Sequence, residues 1–538
     1  MPKKPDIKKL GLSQTRRNAS AMAVGTLISR LTGLLRLSAL AWALGISTLS
    51  DIFNLANNAP NTFFDLLIGG VLASTIMPVM VKASSRVSQS KASEDLSALI
   101  TVMVAALLVA TLIFELLSGP IILGYLIGNH SATKAIQAKA AINLLRLFAP
   151  QLFFYGVISL ITSLLNSKRH FAIPAYAPIA NNFVAIGTFI LFHLLYSHLG
   201  AQQIVVALSH ATPELWLLGV GTTFGVVCQS IIIIASVRNR NFHIRFNFDL
   251  FNPTVREVVN LSGWTFGYVL ANQISLFFIL ALADAHSPGS VSAYNNSYLF
   301  FQLPYGIGAY SVMAAIIPDL SEHIAHGELG HFKHSFSRGL RLSIIFLIPA
   351  AAIFVSMSSQ IVSLLLGHGA ASSHGLTLTS ESLIALSLGL PGFGFFLACI
   401  QALQAARLAK AVFWIYAVEN LLNVILALGL VSKFGVFGLS LSVSLAYTAT
   451  AIMAFSALTR HHIAPRMIPI IVAWFRILTP SVGMAIAIRY INLRMGIGQG
   501  IKLVENIIID IFVGAISFGV ITFIIFILSA TLTPRRSR

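Results

Sequence analysis

The sequence predicts an all-α bundle that crosses a membrane about fourteen times, and three observations predict it. The chain of 538 residues is 56% hydrophobic and only 10% charged, with a mean hydropathy of +0.84, a balance that makes lipid rather than water its main solvent. Apolar stretches of about 20 residues recur along the whole length, each long enough to cross roughly 30 Å of hydrocarbon, whereas a membrane β-barrel would show short alternating segments. Lys and Arg gather in every second connection between those stretches, as cytoplasmic loops require.

In chain order the expected helices cover 20–45, 50–81, 96–118, 139–165, 172–196, 213–236, 256–282, 290–318, 338–358, 381–404, 411–431, 434–458, 467–488 and 505–531. The basic tail 1–19 has no short apolar core with a small-residue cleavage site, so the first apolar helix is expected to stay. Six helices form a first lobe over 20–236, a cytoplasmic loop follows at 237–255, and six more form a second lobe over 256–458. Two further helices lie within 459–531, before a basic tail at 532–538. The chain is read as a functional monomer. Cys228 and Cys399 fall in apolar segments of different halves, so buried thiols are expected rather than a disulfide.

The basic residues fix the orientation. They stand in the first tail, after the second helix (Lys82, Arg86, Lys91), after the fourth (Lys168, Arg169) and around the central loop (Arg238, Arg240, Arg245). They return after the eighth (Lys333, Arg338), tenth (Arg407, Lys410) and twelfth (Arg460, Arg466) helices and in the last tail, while 197–212, 283–289 and 359–380 hold none. Both termini are therefore expected in the cytoplasm. The exception is the connection holding Arg489, Arg494 and Lys502, which the alternation places outside. A formal charge of +18 is thus explained by topology, and no soluble basic face for nucleic acid is expected.

The halves repeat. ASTIMP at 73–78 and MAAIIP at 313–318 end the second and eighth helices 240 residues apart (318 − 78), and LLNSKR at 164–169 corresponds to LQAARLAK at 403–410. Six helices per half give both halves the same orientation, a parallel repeat about an axis along the membrane normal. That arrangement suits a transporter with a cavity between two lobes.

Polar residues within the spans mark candidate sites. Arg30 and Arg36 on the first helix are six positions apart, about 120° around a helix of 3.6 residues per turn. A buried arginine needs water, a partner or a ligand, and its planar fork suits phosphate; the alternative is an ion pair with Asp51 or Asp65. Asp51, Asn54, Asn58, Asn61 and Asp65 recur at spacings of 3, 4, 3 and 4 on one face of the second helix. Asn295, Tyr298, Gln302 and Tyr305 do so on the eighth. Interhelical hydrogen bonding is the structural alternative for both stripes. Gly33, Pro60 and Pro304 are candidate hinge positions, each proline removing a helix hydrogen bond.

Glu419 and Asn423, four apart on the eleventh helix, could ligate Na+ or carry a proton, or else join helices. Glu115, Arg146, Arg476 and Asp510 are read as snorkelling to the headgroups. The histidines, His461 and His462 included, show no metal-ligand spacing. With neither a Walker loop nor a nucleophile elbow, no enzyme activity is expected.

Several motifs together resemble the MurJ (MviN) family of lipid II flippases, within the multidrug/oligosaccharidyl-lipid/polysaccharide exporter superfamily. They are SRLTGLLR at 29–36, the stretch from Asp51 through PN at 60–61 to GGVLAS at 69–74, and LNSKRHFAIPAYAP at 165–178. QISL at 273–276, GSVS at 289–292 and QLPYG at 302–306 complete the set. The resemblance covers nearly the whole chain. It implies fourteen helices, two lobes, a central cavity and alternating access that turns the lipid II headgroup outward across the bacterial plasma membrane for cell-wall synthesis. By position, Ser29, Arg30, Gly33, Arg36, Asp51 and Asn61 match residues the family places at or near the cavity.

Candidate substrate contacts are therefore Arg30, Arg36, Asp51, Asn58, Asn61 and Gln302, with membrane lipids and cell-wall synthesis proteins as further partners. No cofactor is expected; coupling to Na+, to H+ or to the membrane potential is left open. The chain departs from many relatives at Phe64 and Asp65, where they carry a basic residue, and at Leu299, where they carry an arginine. The PN followed by an aromatic and acidic pair resembles the actinobacterial branch, and the soluble extension that some of its members carry is not expected here. The rival readings are a cation-coupled drug exporter, which would want an acidic cavity, a membrane-embedded transferase, which would need clustered carboxylates, and a passive scaffold, which needs no inward polar stripe.

Overall fold

The computed structural model describes residues 7–69, 89–167, 170, 172–238, 245–253, 255–256, 263–496, 498 and 500–532. The ASTIMP motif, Lys82, Arg86, Lys168, Arg169, Arg240 and the rest of the predicted second helix after Gly69 lie outside them. The described residues contain helices and no strand. Packing divides the chain into two units, Met1–Gln273 and Ile274–Arg538, a boundary that falls inside a helix rather than in the loop at 237–255.

The first unit holds α1 (Ile7–Leu44), α2 (Thr48–Phe64), α3 (Gln89–Leu116), α4 (Ser118–Tyr125), α5 (Lys134–Phe148), α6 (Pro150–Ser167), α7 (Ala172–Tyr196), α8 (Ala201–Leu208) and α9 (Pro213–Arg238). α1 packs along α7, α7 along α9, and α2 against α5. The eight-residue helices α4 and α8 sit in stretches that the sequence reads as ends or loops. They are too short to bear the periodic signal of a span.

In the second unit stand α10 (Gly263–His286, which begins in the first), α11 (Ser290–Pro304), α12 (Tyr310–Ala325), α13 (Leu329–Leu366), α14 (Ser373–Leu388), α15 (Leu390–Ala405), α16 (Ala409–Arg460), α17 (Met467–Met495) and α18 (Ile501–Leu532). Eleven helices are long and apolar enough to cross a membrane among the described residues, twelve when the pair α14 and α15, bent by 51°, is one span. The fourteen predicted from sequence exceed that count at identifiable places. One is the second helix, described only to Gly69. The other is α16, a single 52-residue stretch carrying Gly435 at φ 55°.

α16 is not one rod. Ser442 Oγ donates to Asn423 Oδ1 at 2.8 Å, although 19 residues of straight helix would separate them by about 28 Å. The chain therefore doubles back at Gly435, whose positive φ favours glycine and where a Cβ would collide with the His286 ring. The two arms correspond to the predicted helices 411–431 and 434–458.

Two local distortions recur at the repeat interval of 240 residues. A π-helical turn covers Asp65–Gly69 and another covers Tyr305–Ala309, so 305 − 65 = 240. A helix break falls at Ala149, between α5 and α6, and again at Gly389, between α14 and α15, so 389 − 149 = 240. Proline explains both breaks: Pro150 and Pro391 lack the N–H that would continue the ladder.

Carbonyls beside each break accept from a hydroxyl of a neighbouring helix. Thr223 Oγ1 of α9 donates to the Leu147 carbonyl at 2.7 Å. Ser444 Oγ of α16 donates to the carbonyls of Ala385 at 2.7 Å and Leu386 at 3.0 Å. In lipid such groups have no water to turn to, so a neighbouring hydroxyl is the available remedy.

Candidate functional site

Arg30 and Arg36 are both half-buried on α1, and no carboxylate pairs with either among the described residues. α1 is held in place from behind. Asn182 of α7 donates through Nδ2 to the Ser29 carbonyl at 3.1 Å and to Thr32 Oγ1 at 2.9 Å. Gly33 lies beside the same amide, with ordinary contact distance for a Cβ. α1 runs without interruption through Gly33, the expected hinge position.

Arg36 faces the ring hydroxyl of Tyr155 on α6, which also bonds the Asn61 side chain. The same hydroxyl donates to Gln151 Oε1 at 3.2 Å, and Gln151 Nε2 donates to Thr223 Oγ1 at 3.0 Å. A chain of polar groups thus runs from the helix break at Ala149 to the cationic face of α1. Such a chain fixes Asn61 and Arg36 relative to one another.

The polar stripe of α2 is graded. Asp51 is 3% exposed and Asn54 8%, so both are sealed within the unit. Asn58 and Asn61 are half-buried and Asp65 is exposed. The C-terminal part of the stripe is therefore the more open one, and Asp51, expected on the substrate path, is buried in this structure. Asn61 Nδ2 also donates to the Asn57 carbonyl at 2.9 Å, spanning the residues around Pro60. α2 continues helically through Pro60 and gives way to the π-turn at Asp65. At the turn, Gln273 Nε2 donates to Asp65 Oδ2 at 3.3 Å.

Gln302 belongs to a cluster of the second unit. Its side chain bonds the hydroxyl of Tyr298, which bonds that of Tyr447. Glu419, only 1% exposed, lies against Tyr294, Tyr298 and Tyr447, and its Oε2 has no hydrogen-bond partner. Pro304 ends α11 where the second π-turn begins, and Gln401 Nε2 donates to Tyr305 Oη at 3.4 Å. Asn423, the residue expected beside Glu419, is hydrogen-bonded on both sides of its amide. Its Nδ2 donates to Ser275 Oγ of α10 at 3.2 Å, and its Oδ1 accepts from Ser442. Asn423 therefore joins helices, and Glu419 alone keeps a free acceptor.

Asp510 corrects another expectation. It is 0% exposed and accepts from Gln360 Nε2 at 3.4 Å, so it is an interior residue of the second unit rather than a snorkelling one. Arg476 is exposed, as snorkelling requires, and Arg146 Nε donates to Ser118 Oγ at 3.4 Å. Cys399 is buried and Cys228 half-buried, both free thiols. Among the described residues no group of His, Cys, Asp and Glu could hold a metal ion. Sequence reasoning passed over Asn182, Tyr155 and Gln151. A paired amide in an apolar span, at Asn181 and Asn182, was the signal available for the first.

Comparison with known proteins gives one consistent result. The family model described as lipid II flippase MurJ matches residues 40–506. A probable lipid II flippase MurJ of Rhizobium meliloti is 27% identical over 470 residues, covering 86% of this chain and 84% of that protein. A lipid II flippase MurJ of Burkholderia cenocepacia is 24% identical over 374 residues, covering 68% of this chain and 69% of that one. Among solved structures, a lipid II flippase MurJ in an inward closed conformation aligns with TM-score 0.74 at 22% identity, over 94% of this chain and 98% of its own. An inward-facing transporter of the multidrug resistance MATE family aligns with TM-score 0.64 at 13% identity, over 82% and 98%. These two likenesses concern the fold.

Proposed function

The chain belongs to the lipid II flippase MurJ family, and on that premise we propose that it carries lipid II across the bacterial plasma membrane for cell-wall synthesis. The observation that supports a phosphate-bearing cargo is the pair of half-buried arginines on α1, neither paired with a carboxylate among the described residues. Guanidinium groups bind phosphate oxygens bidentately, so Arg30 and Arg36 hold the diphosphate. Tyr155 and Asn61 orient Arg36, and Asn58 offers a further polar contact. Gln302, hydrogen-bonded within the tyrosine cluster, lines the path in the second unit. The headgroup moves by alternating access, the termini stay in the cytoplasm, the chain acts as a monomer and no covalent chemistry is needed.

Energy for the cycle enters through Glu419 in this reading. A buried carboxylate with a free oxygen, ringed by tyrosines, is suited to take up a proton or a sodium ion in one state and release it in another. The membrane potential acting on the arginines is the other source.

The test is growth of a bacterium depleted of its own flippase and supplied with this chain. The native protein restores growth, whereas Arg30→Ala and Arg36→Ala, at equal membrane levels, lose rescue by an order of magnitude or more, as expected when about 1.5–3 kcal/mol per charged hydrogen bond is removed. Rescue by both variants would remove the arginines from the cargo site. A cation-coupled drug exporter would leave growth unrestored even with the native chain inserted.

A further inference from the structure

The exception in the charge pattern meets a groove in the second unit. α13, the α14 and α15 pair, and α17 enclose a cavity of about 760 Å³, lined by Ile348, Ala352, Leu388, Pro391, Val482 and Ile486 among others. It lies beside the 51° bend between α14 and α15, whose Leu388 and Pro391 line it. The lining is mostly apolar, broken by Ser356, Ser387 and Ser481, and towards one end of its α17 side it includes Arg489 and Tyr490. Arg494 stands over the Tyr490 ring at 5.5 Å and donates from Nη2 to its hydroxyl at 3.3 Å. Arg489 is exposed and, among the described residues, neither arginine has a carboxylate partner.

We propose that this groove holds one acyl chain of an anionic phospholipid, with its phosphate between Arg489 and Arg494. Leu478 and Arg489, both lining residues, are 11 positions apart on α17, about 16 Å along the helix. That is about half of the roughly 30 Å hydrocarbon core, so the groove reaches one leaflet deep and takes a chain of ordinary membrane length. A long polyprenyl chain exceeds it. Tyr490 sits where an aromatic ring meets the headgroup layer. The two arginines are on the side where the alternation of charge expects none, and attraction to a phosphate accounts for them there. The site needs α17, which stands outside the repeat and so has no counterpart in the first unit.

The full chain, purified and stripped of lipid in detergent, is titrated with phosphatidylglycerol, with phosphatidylcholine of the same chains, and with undecaprenyl phosphate, binding being read by native mass spectrometry. Phosphatidylglycerol is expected to bind more tightly than phosphatidylcholine. Arg489→Ala weakens its binding roughly fivefold and the double variant with Arg494→Ala by about twenty-fivefold, at the strength usual for a cation near a charged headgroup. Ala485→Phe, which fills the groove, abolishes binding. Because Arg489 is exposed, its variant keeps the native fold, and unchanged affinity there would overturn the proposal. Equal binding of the two phospholipids by the native chain would overturn it as well. So would displacement of phosphatidylglycerol by undecaprenyl phosphate at lower concentration, which would assign the groove to the cargo.

Discussion

Asn182 is the side chain on which the placement of both arginines depends, since one amide grips α1 at Ser29 and Thr32, within four residues of Arg30 and Arg36. Asn182→Ala should lower stability by about 1 kcal/mol, the usual size of an interhelical hydrogen bond in a membrane, and reduce transport further by loosening α1. A thermal melt in detergent beside a flipping measurement separates the two losses; an unchanged melt would show that α1 is held elsewhere. Outside the spans, the hydrogen bond from His323 Nδ1 to Glu328 Oε2 at 2.9 Å holds the Glu328 carboxyl below its ordinary range. A carboxyl depressed in the folded state contributes stability above its ordinary value of about 4.3, and that contribution is lost as the pH falls through the lowered value. Glu328→Gln should therefore flatten the acid limb of stability against pH, and an unaltered limb would remove the pair from it. The arginines and Asn61 were legible in the sequence because charge and amides in an apolar span are costly. The burial of Asp51 and Asp510 was not, since periodicity shows that residues share a face without showing whether that face meets an opening or a neighbouring helix.

At the scale of the element, most helices were legible because a membrane span must be about 20 apolar residues. The breaks at Ala149 and Gly389 were not, although Pro150 and Pro391 could have pointed to them. What makes each break tolerable lies far away in sequence, on Thr223 and Ser444. Thr223→Val, close in shape but without the hydroxyl, removes the donor to Leu147 and the acceptor for Gln151 Nε2. The expected cost is about 1–2 kcal/mol, and Ser444→Ala should match it if the two breaks are one device used twice. Thermal melts of the two variants test this, and a loss confined to one would deny the equivalence. A boundary between two helices was legible near 432–433, but the turn itself falls at Gly435, inside the helix predicted over 434–458, while the π-turns gave no sequence signal beyond the nearby prolines.

For the molecule as a whole, the distribution of charge makes a topological prediction. With Cys228 and Cys399 replaced by Ala, Lys410→Cys should react with a membrane-impermeant maleimide only after the cytoplasmic side is opened, and Ala371→Cys should react in intact cells. Both residues are placed in or beside connections, at the start of α16 and before α14. The reverse result would invert the orientation and with it the direction assigned to transport. The two-part organisation was legible from the short repeated motifs, and the π-turns and helix breaks at the same interval extend it to the backbone. The division of packing inside α10 was not, because one continuous apolar helix gives no sign of where its allegiance changes: Gln273 bonds Asp65, and two residues later Ser275 bonds Asn423.

The capped breaks also bear on how the chain is made. Leu147 emerges from the ribosome 76 residues before Thr223 (223 − 147), and Ala385 emerges 59 residues before Ser444 (444 − 385). Until its partner arrives, each broken helix presents a bare carbonyl to whatever surrounds it, at a cost that hydrocarbon makes several kcal/mol. Biogenesis therefore favours holding the early helices of each half at the insertion machinery, where water and protein can satisfy them, and releasing six to the lipid together rather than one by one.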